Sequence, residues 1–170
     1  MKSNAVHAAR PSMKSIKTVT LYSHSKDNDA LAYLRLLGPA SRLGLNVIEG
    51  MENDQIFSER VLEGDIVILQ RDFPSHLAEY EKIISLAHQA GKAVILDVDD
   101  LLLELPKNHP ERKSHYYAKA LLPIFQALME VDLVTVSTPR LRDHILPYNE
   151  NVTVLPNYLM MISGILRSPR

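Results

Sequence analysis

Residues 94–105 read VILDVDDLLLEL, and the placement of this stretch decides the fold. An apolar run meets Asp97-Val98-Asp99-Asp100, and apolar residues resume at once. A short apolar run of this kind reads as a strand buried on both faces. Such strands belong to parallel sheets covered by helices on each side. Carboxylates at the end of a buried strand are costly to place, so Asp97, Asp99 and Asp100 are the first candidates for chemistry.

The same pattern repeats on either side of this stretch. IKTVTLYS (16–23), LNVIEG (45–50), DIVILQ (65–70), KAVILD (92–97), DLVTVS (132–137) and NVTVLP (151–156) all read as strands. Helical spacing fills the intervals. ALAYLRLLGPASRLG (30–44) places Leu31, Leu34, Leu37 and Leu43 on a helix kinked at Gly38-Pro39, with Arg35 facing solvent. PSHLAEYEKIISLAHQAG (74–91) is a helix capped by Ser75 and stopped by Gly91. SHYYAKALLPIFQALMEV (114–131) is a helix bent at Pro123, and TPRLRDHIL (138–146) a short one with Pro139 in its first turn. MENDQIFSERVLEG (51–64) reads as an irregular or helical crossover, and SHSKDND (23–29) as a loop with helix caps among Asp27, Asn28 and Asp29. Alternating strands and helices predict a Rossmann-like, doubly wound α/β fold: a mostly parallel six-stranded sheet with helices on both faces.

Bulk properties narrow the function classes. At 170 residues the chain is one domain's worth. A globule of that size buries roughly 70% of its unfolded surface and needs no disulfide or metal staple. With 19 basic against 20 acidic residues, the net charge of −1 gives no reason to expect nucleic acid or a membrane surface as partner. There is no Cys, which excludes thiol chemistry and fits a cytoplasmic location. MKSNAVHAARPSMKS has no apolar core of a secretory signal, so residues 1–15 are expected to be a disordered lead-in. No stretch reaches the about 18 apolar residues of a membrane-spanning helix.

Ligands of doubly wound sheets bind outside the carboxyl ends of the strands. That rule nominates Ser23 and His24, Gln70 and Arg71, Asp97 to Asp100, Ser137 and Thr138, and Pro156 and Asn157. His24 is a candidate base near neutral pH. Arg71 can clamp a phosphate or carboxylate bidentately, or pair with the Asp97–Asp100 cluster. The carboxylates can instead cap the next helix or pair with Arg71 or Lys92. No G-x-G-x-x-G follows the first strand, which disfavours NAD and FAD. His88, His109 and His144 lack ligand spacing, so no metal site is read.

Two resemblances attach to these residues. VILDVDDLLL is similar to the first motif of haloacid-dehalogenase-like phosphatases, with Leu101 where that motif has Thr. That likeness implies Asp97 as nucleophile, Asp99 as general acid/base, Mg²⁺ between them, and Ser137 or Thr138 as the second motif. The broader likeness runs from about Ile16 to Leu159. YLRLLGPASRLG (33–44), DIVILQRDF (65–73), VILDVDDLLLELPKNHP (94–110) and above all VDLVTVSTPRLRDHILPYNENVTVLPNYL (131–159) resemble the N-terminal half of two-domain, GT-B-type glycosyltransferases such as family 4.

The second resemblance implies an acceptor-side domain over residues 16–159. Asp97, Asp99 and His24 would be the catalytic candidates, and Arg71, Asp100, Ser137 and Asn157 would bind substrate, with no metal required. It implies a carbohydrate or glycolipid acceptor. The nucleotide-sugar would be held by a second, separate donor domain, and the cleft wall left uncovered without it would invite a homodimer. Residues 160–170, MMISGILRSPR by way of Met160, resemble nothing in that family and read as a truncated tail, so the 170-residue chain alone is expected to be inactive. The glycosyltransferase reading further expects the first strand at the sheet centre beside KAVILD. The phosphatase reading expects KAVILD itself at the centre. A non-catalytic Rossmann-like binding module is the third alternative.

Overall fold

The computed structural model describes residues 15–24, 30–114 and 118–157. The expected lead-in up to Lys14, the caps at 27–29, residues 115–117 of the helix expected over 114–131 and the tail lie outside these residues.

Six strands form one parallel sheet: β1 (Thr18–Tyr22), β2 (Asn46–Glu49), β5 (Ile66–Gln70), β6 (Val94–Val98), β7 (Leu133–Val136) and β8 (Val152–Val154), in the order β2-β1-β5-β6-β7-β8. This is the Rossmann-like α/β architecture read from the sequence. The order reverses between β1 and β5, and the crevice at that point is where open sheets of this kind take ligands. The expected adjacency of the first strand and KAVILD is corrected: β1 pairs with β2 and β5, and β5 and β6 occupy the middle.

Helix α1 comprises three continuous segments, Ala30–Ala32, Tyr33–Leu37 and Gly38–Arg42. Helices α2 (Leu77–Gln89), α3 (Pro110–Lys113), α4 (Leu121–Glu130) and α5 (Pro139–Ile145) follow. On α2, Tyr80, Ile83, Ile84 and Ala87 are buried at i, i+3, i+4 and i+7, one apolar stripe. They join Val67, Leu69, Val94, Leu96, Val134 and Val136 with Ile124 and Leu128 of α4 and Leu141 and Ile145 of α5 in the main core. Val19, Leu21, Leu36 and Ala40 are buried outside that cluster, in a smaller core between α1 and the other sheet face. The two faces are therefore unequally clothed.

Several local expectations need correction. Residues 51–56 form a hairpin, β3 (Met51–Glu52) with β4 (Gln55–Ile56), turning through Asn53 and Asp54 at φ 49° and 63°. Two successive left-handed residues are what a tight hairpin turn requires, and Asn and Asp tolerate them. A 3₁₀ turn, Ser58–Leu62, completes the crossover. The N-cap of α2 is His76, since Phe73–Ser75 is itself a 3₁₀ turn. Gly91, at φ 63°, ends that helix as expected. Pro123 lies in the first turn of α4, where its missing N–H has no partner to lose, so it starts the helix rather than bending it. Thr138 caps α5 by accepting from the Leu141 N–H at 3.2 Å.

Pro39 does not simply kink α1. It has no N–H to give the Arg35 carbonyl, and its ring crowds that carbonyl. The helix responds by widening: the Gly38 N–H bonds the Tyr33 carbonyl, an i→i+5 link over Tyr33–Leu37. The widening turns Arg35 inward.

Candidate functional site

Sheet register builds the site's foundation. Gln70 lies beside Asp97, and Asp97 beside Thr135, on three adjacent strands. Parallel neighbours in register point to the same face about 4.8 Å apart, so three polar side chains form a row across the sheet. Arg35 descends on that row from α1. Its Nε donates to Asp97 Oδ2 at 2.8 Å and its Nη2 to Asp97 Oδ1 at 2.6 Å. Thr135 Oγ1 donates to Asp97 Oδ1 at 2.7 Å, and Gln70 Nε2 lies 3.4 Å from Oδ2. Gln70 Oε1 accepts from Ser23 Oγ at 2.6 Å. The remaining arm of Arg35, Nη1, donates to the Leu155 carbonyl at 2.8 Å and to Asn157 Oδ1 at 3.0 Å.

Both Arg35 and Asp97 are 0% exposed at the side chain. A buried charge is tolerable only when paired and hydrogen-bonded, and here the four acceptor positions of the carboxylate are all engaged. Asp97 thus lies beneath the strand-end rim with its carboxylate enclosed by Arg35, Thr135 and Gln70. Of the two partners expected for the Asp97–Asp100 cluster, Arg71 does pair with it, through Asp99 and Asp100, whereas Lys92 Nζ donates to the Leu62 carbonyl at 2.7 Å and to that of Gly64. The solvent-facing reading of Arg35 is corrected. Asn157 serves Arg35 through its oxygen.

Above the row lies the rim of strand ends. The Arg71 N–H donates to the Asp97 carbonyl at 2.8 Å, and Arg71 adopts φ 53°. Left-handed backbone at a residue with a side chain costs on the order of 1–3 kcal/mol and clusters at functional positions. The turn sends the guanidinium toward the next strand, where Nε is 3.3 Å from Asp99 Oδ1 and Nη2 is 3.8 Å from Asp100 Oδ2. Ser137 Oγ donates to the Asp99 backbone carbonyl at 2.7 Å, so it shapes the turn that carries Asp99. The Asp99 side chain is 12% exposed and that of Asp100 64%. Asp99 Oδ1 is buried and accepts no hydrogen bond. Burial raises the Asp99 pKa above the ordinary carboxylate value, and Asp100 adds to that against the opposing pull of Arg71.

The other side of the rim is aromatic. His24, after β1, lies 4.8 Å from the His76 ring and 6.1 Å from Phe73, measured between ring centroids. Phe73 is buried against Tyr22 at 5.2 Å. Partial desolvation lowers the His24 pKa, and the neighbouring His76 acts in the same direction. The Asp72 carboxylate and a hydrogen bond with the Asp72 backbone oppose them. His76 Nε2 is buried with no hydrogen-bond partner.

The structure therefore gathers His24, Arg71, Asp99, Asp100 and Ser137 at the carboxyl ends of β1, β5, β6 and β7, and moves Asp97 and Asn157 beneath them. Sequence reasoning missed Arg35 as an anchor, Thr135 and His76. Thr135 could have been found by aligning DLVTVS with KAVILD in parallel register. Among the described residues, no three His, Cys, Asp or Glu side chains converge as a metal site, and no helix is long and apolar enough to cross a membrane. The chain matches no known protein-family model, and no curated protein matches it significantly.

Proposed function

We propose that this chain is the acceptor-side domain of a GT-B-type glycosyltransferase-like enzyme, with Asp99 as the group that takes the acceptor's proton. The observation that carries the reading is the different fate of two carboxylates two residues apart. Asp97 is saturated by Arg35, Thr135 and Gln70 and has no lone pair to offer. Asp99 Oδ1 accepts no aligned hydrogen bond and is faced by the Arg71 guanidinium at 3.3 Å, and burial raises its proton affinity. A base serves best when its pKa approaches the working pH, so a desolvated carboxylate beside a bound hydroxyl suits attack on an anomeric carbon. Arg71 and Asp100 would bond flanking hydroxyls, and His24 would line the opposite wall. The departing diphosphate would be met by the nucleotide-sugar domain that the resemblance implies.

The support comes from the rim and from the sequence likeness, since β1 lies beside β5 rather than where that likeness put it. The phosphatase alternative expects KAVILD at the sheet centre, where β6 lies, but it needs Asp97 as nucleophile, and the enclosure of that carboxylate argues against it.

The test is saturation-transfer NMR of the chain with a panel of mono- and disaccharides, alongside phosphate release from a generic aryl phosphate with Mg²⁺. Saccharide binding weakened at least tenfold by Asp99→Asn is expected. Binding of no saccharide, or Mg²⁺-dependent phosphate release lost in Asp97→Asn, would overturn the proposal.

A further inference from the structure

Side chains alternate along each strand, so Ile66, Ile68, Ile95 and Leu133 share the face of α1, with Ile68 beside Ile95 and Ile95 beside Leu133 in register. All four are only half-buried, whereas Val67, Leu69, Val94, Leu96 and Val134 on the opposite face are 0% exposed. Helix α1 roofs one end of its face, where Val19, Leu21, Leu36 and Ala40 are buried. Beside them a cavity of about 180 Å³ opens between α1 and the sheet, and among the described residues its lining is apolar apart from Arg35. Ile66 and Ile68 form part of its floor, and Leu155, just past β8, stands at its edge. Parallel sheets carry a cover on both faces, so this row of aliphatic side chains calls for one more element.

We infer that the cover is the chain's own segment Tyr158–Leu166, laid over the half-buried face of β5, β6 and β7 with its apolar side chains against Ile66, Ile68 and Ile95. Two observations select this occupant. The first is where the segment starts. Arg35, in the cavity wall, donates through Nη1 to the Leu155 carbonyl and to Asn157 Oδ1, so the residue before Tyr158 is held at the cavity's edge. The second is its composition. YLMMISGIL carries no charge over nine residues, and Arg167 follows at once. Tyr158, Met161, Ile162 and Ile165 fall at i, i+3, i+4 and i+7, the spacing of a one-sided apolar helix. Nine residues wound as a helix span about 14 Å. The five-residue strands β5 and β6 are about 17 Å long, so the segment matches the face it would cover. Moving both apolar surfaces out of water together is the driving force. The opening segment MKSNAVHAARPSMK is the poorer occupant, since four of its residues are Lys or Arg and its apolar residues never run beyond two.

The experiment uses the whole chain, labelled at isoleucine methyls and carrying one nitroxide attached through Ser168→Cys; the absence of native Cys makes that attachment unique. Paramagnetic broadening is read by NMR. The Ile68 and Ile95 methyl signals should lose at least twofold more intensity than those of Ile83 and Ile124 on the opposite face. The loss should persist when the labelled chain is mixed with an excess of unlabelled chain free of nitroxide. Adding Ile162→Glu should erase it and leave the Ile83 and Ile124 signals in place. If that variant misfolds, the parent measurement decides. Equal broadening on both faces, or broadening that survives Ile162→Glu in a folded chain, overturns the proposal. Broadening that vanishes in the mixture overturns it too, because the face is then covered by a second copy.

Discussion

Arg35 and Asp97, 62 residues apart in the chain, meet in a two-point guanidinium–carboxylate pair shut off from solvent. The pair ties α1 to the middle of the sheet. Its third arm ties both to the segment leaving β8. Through Gln70 and the Arg71 backbone it also reaches the two walls of the rim. The candidate site thus stands on one buried ion pair.

Breaking that pair from one side should be far worse than removing it whole. Arg35→Met strands a buried carboxylate and is expected to cost about 3–5 kcal/mol. The double variant Arg35→Met, Asp97→Leu should recover most of the loss, because neither charge is then left unpaired. Urea denaturation of the two single variants and the double variant measures this. Additive losses would show that the pair is not coupled.

Asp99 should reveal its raised pKa through stability. The fold disfavours its ionised form, so the wild type is burdened at neutral pH and relieved as pH falls from the raised folded value to the ordinary carboxylate value of 3.8. Asp99→Asn should therefore melt higher than wild type at neutral pH, with the gap closing in acid. A gap that does not vary with pH would contradict the desolvated state of this carboxylate.

His24 has the opposite sign. Its folded pKa lies below the ordinary 6.5, so the fold favours the neutral ring. The stability it supports is full above about pH 6.5 and declines as pH falls toward the lowered folded value. His24→Gln should flatten the stability profile in that window. The imidazole NMR titration of the wild type should give a midpoint below 6.5.

Gly50 permits one close approach. A Cβ there would collide with the Tyr22 ring, and Tyr22 is fully buried with its hydroxyl donating to the Phe57 carbonyl at 2.9 Å. Gly50→Ala should cost about 1–3 kcal/mol, the usual penalty of overpacking. The double variant Gly50→Ala, Tyr22→Leu should regain part of it, as read by thermal melting.

The sheet was legible because each strand is a continuous apolar, β-branched run, a signal that survives whatever packs on it. The strand ends were legible for the same reason, and they led to Arg71, Asp99 and Ser137. The hairpin at 51–56 was not, since its Asn-Asp turn lacks the glycine that usually marks one. Arg35 was hidden for a geometric reason. Its placement on the outer face assumed a regular helix of 3.6 residues per turn, and Pro39 breaks that regularity just beyond it. The enclosure of Asp97 was hidden because its own position gives no hint of a partner so far away in sequence.

The widened turn at Tyr33–Leu37 makes α1 a helix with one residue to spare. Each residue of an ordinary helix advances the face by about 100°. Deleting a single residue between Leu36 and Gly38 would let the turn close to regular winding and re-aim the side chains inside it, Arg35 among them, while the flanking segments kept their faces. Arg35 would then lie away from Asp97 although every other residue of the helix was kept. The segment is therefore forgiving of spelling and strict about length: for this helix, a one-codon deletion is the graver lesion than most substitutions.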